Sequence, residues 1–136
     1  MDQLLTIACS TFSDRIINVM KLYDSLGSSC GKIKFLVIHQ VPDDIQLSTV
    51  SQSMVVALED HPDITYIRHN SRGLTKSRNI AIKNTQSQYM WITDDDLIFV
   101  PGSVQKVLDC LVEDNNWCHT FESLKPSGKK RASYPR

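Results

Sequence analysis

Apolar positions along the chain form two kinds of group. Short runs rich in β-branched residues alternate with longer segments in which apolar side chains recur every three or four positions. Residues 4–9 (Leu-Leu-Thr-Ile-Ala-Cys) predict a strand, with residues 10–13 as its turn. A helix follows, with Ile16, Met20, Tyr23 and Leu26 on one face and Gly27 near its stop. Residues 33–39 are almost continuously apolar, as a strand covered on both faces would be. Pro42-Asp43-Asp44 ends that run, and residues 47–58 predict a helix. A third strand is expected over residues 64–67, a helix from Gly73 to about Asn84, and a fourth strand over residues 89–93. Pro101 suits the first turn of a helix in which Val104, Val107, Leu108 and Leu111 repeat at helical spacing. Residues 117–121 read as a fifth strand, and Pro126-Ser127-Gly128 as a turn. Such alternation predicts an α/β fold: a Rossmann-like, mostly parallel sheet with helices on both faces. Ligands of such sheets bind outside the carboxyl ends of the strands.

Composition changes this picture little. The 136 residues are 41% hydrophobic and 22% charged, ordinary values for one soluble domain. Fifteen basic and 15 acidic side chains cancel, which removes any whole-chain electrostatic case for a nucleic-acid partner. Basic residues gather only at the end, in Lys125, Lys129, Lys130, Arg131 and Arg136, so residues 1–124 are expected to form the domain and 125–136 a basic tail. The N-terminus shows no signal-peptide pattern, and no run approaches the ~18–20 apolar residues that span a bilayer. Cys9, Cys30, Cys110 and Cys118 are scattered and read as reduced thiols. A cytoplasmic location is expected, with the inner face of a membrane as a possible station.

The chemistry concentrates in Asp94-Asp95-Asp96, directly after the fourth strand. Adjacent carboxylates raise one another's pKa, a cost that a bound cation removes. Hard oxygen ligands suit Mg²⁺ or Mn²⁺, held by one or two carboxylates with substrate phosphates completing the shell. Alternation sends Asp94 and Asp96 to one side and Asp95 to the other. The plainer reading is an acidic turn that caps the next helix. Pro101 and Gly102 place that helix start several residues too late for such a cap.

The second informative stretch is Gly73-Leu74-Thr75-Lys76-Ser77-Arg78-Asn79-Ile80-Ala81-Ile82. As a helix it places Leu74, Arg78, Ala81 and Ile82 on one face. A guanidinium there needs a partner, either Asp94, Asp96 or a diphosphate, because burying it unpaired is very costly. Alternatively, Arg78 snorkels to the surface along its aliphatic stem. Gly73 either opens the helix for close approach of a ligand or serves as a plain turn residue.

Taken together, Gly73-Leu74-Thr75-Lys76-Ser77-Arg78-Asn79 and Tyr89-Met90-Trp91-Ile92-Thr93-Asp94-Asp95-Asp96 resemble the glycine-leucine-serine-x-x-arginine-asparagine and D-x-D blocks of family 2 glycosyltransferases of GT-A fold. Leu5 to Phe12 is similar to that family's first strand and its Pro-Thr-Tyr-Asn-like turn. The resemblance implies transfer of a sugar from a nucleoside-diphosphate donor, such as a UDP-sugar, to a glycan or lipid-linked acceptor, as in polysaccharide biosynthesis. It implies that Thr11 and Phe12 border the nucleoside and that Arg78 lies near the donor. Asp94 would face the donor, with Asp95 beside it, while Asp96 would ligate Mn²⁺ or Mg²⁺.

Two departures shape the expectation. The family often carries an acidic residue after its second strand, against the base of the donor. Here the sequence reads His39-Gln40-Val41-Pro42, leaving Gln40 or a displaced Asp43 for that role, and His39 as a satisfied polar group. The family's acceptor site and catalytic base lie beyond the D-x-D helix, where Glu122 is the only acidic residue after Asp114. The expectation is therefore a donor-binding part whose catalytic base is unassigned. Two alternatives stay open. One is a metal-dependent nucleotidyltransferase, which Ser10-Thr11-Phe12-Ser13 fits poorly as a phosphate loop. The other is a catalytically incomplete interaction module, for which a homodimer is the expected assembly.

Overall fold

The computed structural model describes residues 3–113, so the expected fifth strand, the turn at residues 126–128, Glu122 and the basic tail lie outside the described residues. Four strands, β1 (Leu5–Phe12), β2 (Lys34–Gln40), β3 (Ile64–His69) and β4 (Tyr89–Asp94), form one sheet in the order β3-β2-β1-β4. Every pairing is parallel, with Ile7 opposite Phe35 and Trp91, and Val37 opposite Tyr66. The chain thus builds outward from β1 to β3 and returns to place β4 on the other side of β1. The strand order reverses there, which opens a crevice between the carboxyl ends of β1 and β4.

Side-chain alternation divides the core into two layers. Leu5, Ile7 and Cys9 of β1 and Phe35 and Val37 of β2 face one layer. Covering them are α1 (Val19–Asp24), α2 (Thr49–Asp60) and α4 (Ser103–Glu113), through Val19, Leu22, Val55, Leu58, Val104, Val107, Leu108 and Leu111. Ala8, Leu36 and Ile38 face the other layer, which α3 (Leu74–Lys83) covers through Ala81 and the half-buried Ile80. Both faces of the sheet are therefore covered, and the fold is α/β.

Several boundaries differ from the sequence expectation for local reasons. β1 continues through residues 10–12, because Thr11 and Phe12 still pair with His39 and Gln40 of β2. The helix expected after it is broken into a 3₁₀ turn (Ser13–Asn18), the short α1, and a second 3₁₀ turn (Gly27–Lys32) that begins where Gly27 takes φ 57°. α2 is capped by Ser48, whose hydroxyl accepts from the Ser51 backbone N–H at 3.2 Å, so the serines of this segment supply its start. Pro101 precedes α4 instead of lying in its first turn. The first helical bond runs from the Lys106 N–H to the Gly102 carbonyl, with Gly102 at φ 78°.

α3 turns a different face inward from the one expected. Its buried residues are Ser77 and Ala81, while Leu74 and Ile82 are 47% and 56% exposed and Arg78 is exposed. Small side chains at positions 77 and 81 let the helix lie close to the sheet, which leaves the larger residues at its margins.

Candidate functional site

The carboxyl ends of β1, β2 and β4 and the first turn of α3 enclose an open cleft of about 360 Å³. Ser10, Thr11 and Phe12 form its floor, with Asp94, Asp95 and Asp96 on one side, Gln40 on the other, and Leu74 and Ser77 from α3. Arg15, which no motif singled out, completes the lining.

The three aspartates meet three environments. Asp94 ends β4 opposite Ser10 and is exposed. Asp95 is 4% exposed, accepting a 2.7 Å hydrogen bond from the Thr11 hydroxyl and 3.1 and 3.0 Å bonds from Arg15 Nε. Arg15 Nη2 also donates to Asp95, making a side-on ion pair. That hydrogen bonding raises the Arg15 pKa further, so the guanidinium stays charged. The Asp96 side chain is 64% exposed, with Oδ2 3.9 Å from Arg15 Nη2. Part of the like-charge cost read from the sequence is therefore met by Arg15. Past Asp96 the chain is anchored again: Phe99 is buried edge-on against Trp91 at 5.1 Å, and its N–H donates to the Ser25 hydroxyl at 2.9 Å.

Three consecutive residues of the first 3₁₀ turn fasten the cleft to the rest of the fold. Ser13 adopts a left-handed conformation, φ 52°, uncommon for a residue with a side chain, and its carbonyl accepts from His39 Nε2 at 2.8 Å. A carbonyl only accepts, so Nε2 carries the proton, and Nδ1 of the neutral ring accepts the Tyr66 hydroxyl at 2.7 Å. Burial keeps His39 below the usual histidine range and pushes the Tyr66 hydroxyl up to about 12, so both hold these roles near neutrality. His39 is thus a satisfied core residue. Asp14 accepts from the Ser48 N–H at 2.9 Å and the Ser51 hydroxyl at 2.7 Å at the start of α2, bonds that lower its pKa. Arg15 reaches β4 through Asp95.

Of the residues singled out from the sequence, Thr11, Phe12, Gln40, Asp94, Asp95 and Asp96 come together in the cleft. Thr11 commits its hydroxyl proton to Asp95, whereas Phe12 keeps an aromatic ring 36% exposed in the cleft. The Gln40 amide donates to the Ser71 carbonyl, which fixes its orientation. Asp43 and Asp44 bind Asn70 and Arg72 and do not line the cleft. Gly73 sits at the start of α3 with φ 112°, a conformation side-chain-bearing residues rarely adopt. Arg78 is exposed and does not line the cleft, and its guanidinium makes no ion pair or hydrogen bond among the described residues. The signal that could have marked Arg15 is slight: a cation three residues past the end of a buried strand.

The described residues hold no group of three or more metal-ligating side chains placed to bind an ion. The available donors are the exposed carboxylates of Asp94 and Asp96, since Asp95 is occupied. Two hard oxygen donors beside an open cleft fit Mg²⁺ or Mn²⁺ of the kind completed by phosphate and water. They do not fit an all-protein cage. Cys9 lies beneath, buried, and burial with the Asp95 and Asp94 charges pushes its thiol well up, which makes it inert.

A parallel sheet whose strand order reverses beside β1, with two exposed carboxylates at that point, defines an α/β domain. The family model described as glycosyl transferase family 2 matches residues 49–133, and the chain belongs to that family. The fold matches that of Staphylococcus aureus TarS, in crystal structures of its residues 1–349 and of TarS itself. Each is 15% identical, covers 80% of this chain and has a TM-score of 0.62. This chain spans 32% of the first and 19% of the second, so the likeness concerns architecture. No curated protein matches the chain.

Proposed function

We propose that residues 3–113 form the donor-binding part of a glycosyltransferase, which takes a nucleoside-diphosphate sugar into the cleft for transfer to the hydroxyl of a glycan or lipid-linked acceptor. The observation that carries this reading is the division of the acidic cluster. Asp95 is turned inward and held, while Asp94 and Asp96 are exposed on the cleft wall at the sheet's switch point, Asp96 keeping only a 3.9 Å contact with Arg15. Asp96 and Asp94 would hold Mg²⁺ or Mn²⁺, which when bound neutralises charge on the diphosphate as it leaves. Phe12 offers an aromatic face to the base, and Gln40 a fixed amide beside it. Gly73 brings the start of α3 to the cleft, where backbone N–H groups favour anions. A UDP-sugar is the donor proposed.

Transfer also needs a carboxylate to take the acceptor's proton. Among the cleft-lining residues the exposed carboxylates are Asp94 and Asp96, already assigned to metal and donor. Binding is therefore the activity proposed for these residues. The free thiols Cys9, Cys30 and Cys110 suit a reducing, cytoplasmic setting, and no helix among the described residues is long and apolar enough to cross a membrane.

Titration calorimetry with UDP tests the reading. Binding is expected with Mn²⁺ or Mg²⁺ and at least tenfold weaker in chelator or in Asp96→Ala; unchanged affinity in that variant would refute it. Arg78→Ala in the same titration decides whether that side chain reaches the donor from outside the cleft lining.

A further inference from the structure

Among the described residues, Arg15 is the one charged side chain of the cleft lining that is not an aspartate. The other lining residues, Ser10, Thr11, Phe12, Gln40, Leu74 and Ser77, are uncharged. Three carboxylates and one guanidinium give the cleft a formal charge of −2, an adverse surroundings for any phosphate unless a cation is presented to it. Arg72, a nearby candidate, is paired with Asp44 at 2.7 Å and does not line the cleft. Arg15 does, and its side chain is 55% exposed although one edge is fully engaged.

A guanidinium carries five N–H donors in a rigid plane. The Nε and Nη2 edge of Arg15 is occupied by Asp95. Nη1 has no hydrogen-bond partner among the described residues, so its two N–H groups remain to be used, while Nη2 has Asp96 Oδ2 at 3.9 Å besides its bond to Asp95. Asp95 is itself immobilised by Thr11 and by burial. The pair therefore presents the free edge in a fixed orientation, and little rotamer freedom remains to be lost on binding. A residue meant only to neutralise Asp95 needs neither this exposure nor a place in the cleft.

We propose that Arg15 is a diphosphate-binding residue, its free edge donating to a phosphate oxygen while Asp95 holds the other edge. The assignment rests on the nucleotide-sugar reading above for the identity of the diphosphate, but not for the anion site itself. It makes Asp95 a positioning residue that acts through Arg15.

The test uses the whole chain and two probes, inorganic pyrophosphate and UDP, each titrated with Mg²⁺. The double variant Arg15→Gln/Asp95→Asn replaces the ion pair by a neutral hydrogen-bonded pair and keeps the cleft at −2, so net charge cannot explain a change. At least tenfold weaker binding of both probes is expected, with melting close to wild type. Should the double variant unfold early, Arg15→Lys can still satisfy Asp95 but has no second edge, and the same loss is expected. Wild-type affinity in the folded variants overturns the Arg15 assignment while leaving the nucleotide-sugar reading in place. Pyrophosphate binding that needs Arg15, with UDP no tighter than pyrophosphate, keeps Arg15 and removes the nucleotide. Binding of neither probe to the wild type overturns both.

Discussion

Asp94, Asp95 and Asp96 are identical in chemistry and adjacent in the chain, yet replacing them should have unlike effects. Asp95 is buried and receives hydrogen bonds from Thr11 and Arg15. Asp95→Ala strands the buried Thr11 hydroxyl and frees Arg15, a loss of about 1–3 kcal/mol for an unmade buried hydrogen bond. Asp94→Ala and Asp96→Ala remove exposed charges from a crowded cluster and should stay within about 0.5 kcal/mol of wild type. Urea denaturation of the three variants checks this, and equal costs would contradict the division of the cluster. The sequence could supply the alternation that separates Asp95 from its neighbours. It could not supply Arg15, because Ser13-Asp14-Arg15 reads as a polar surface turn and its partner lies 80 residues away.

Strands were the most legible elements, and for a physical reason. Each is a compact run, and the central strands β1 and β2, buried on both faces, leave little choice of pattern. Helices were legible as segments but less so as faces. In α3 the inward positions are a serine and an alanine, which hydrophobicity alone does not mark, so the apolar pattern points to Leu74 and Ile82 while Ser77 and Ala81 are the buried pair. Gly73 was visible as a helix opener, though its conformation was not. With φ 112° and ψ 132° it occupies a region almost reserved for glycine, and a Cβ there would meet open space, so any penalty is one of backbone strain. Gly73→Ala should cost about 1–3 kcal/mol. Thermal melting measures the cost, and a neutral result would show that the α3 start can rearrange.

At the scale of the molecule, two histidines set an acid limit. Burial lowers the pKa of His39, and burial followed by the Lys76 charge lowers that of His69, so the fold favours both neutral rings. Each contribution is present above the unfolded value near 6.5 and is lost as pH falls below it toward the folded value. Melting temperature should therefore be flat above about pH 7 and decline toward pH 5, where most carboxylates have not yet begun to protonate. His39→Gln, which can still donate to Ser13 and accept from Tyr66, should flatten that decline. An unchanged slope would move the acid sensitivity elsewhere.

The turn that follows β1 also carries a consequence for the order in which the chain folds. Its residues close on partners 26 residues away at His39, 34 and 37 away at Ser48 and Ser51, and 80 away at Asp95. Loop-closure entropy makes the last of these about 1 kcal/mol harder to form than the first. A chain that has assembled only β1, β2 and β3 can set Ser13 and Asp14 in place but has nothing for Arg15 to grasp. Docking of β4 therefore does two things in one event: it completes the four-stranded sheet and fixes the one cation that lines the cleft among the described residues.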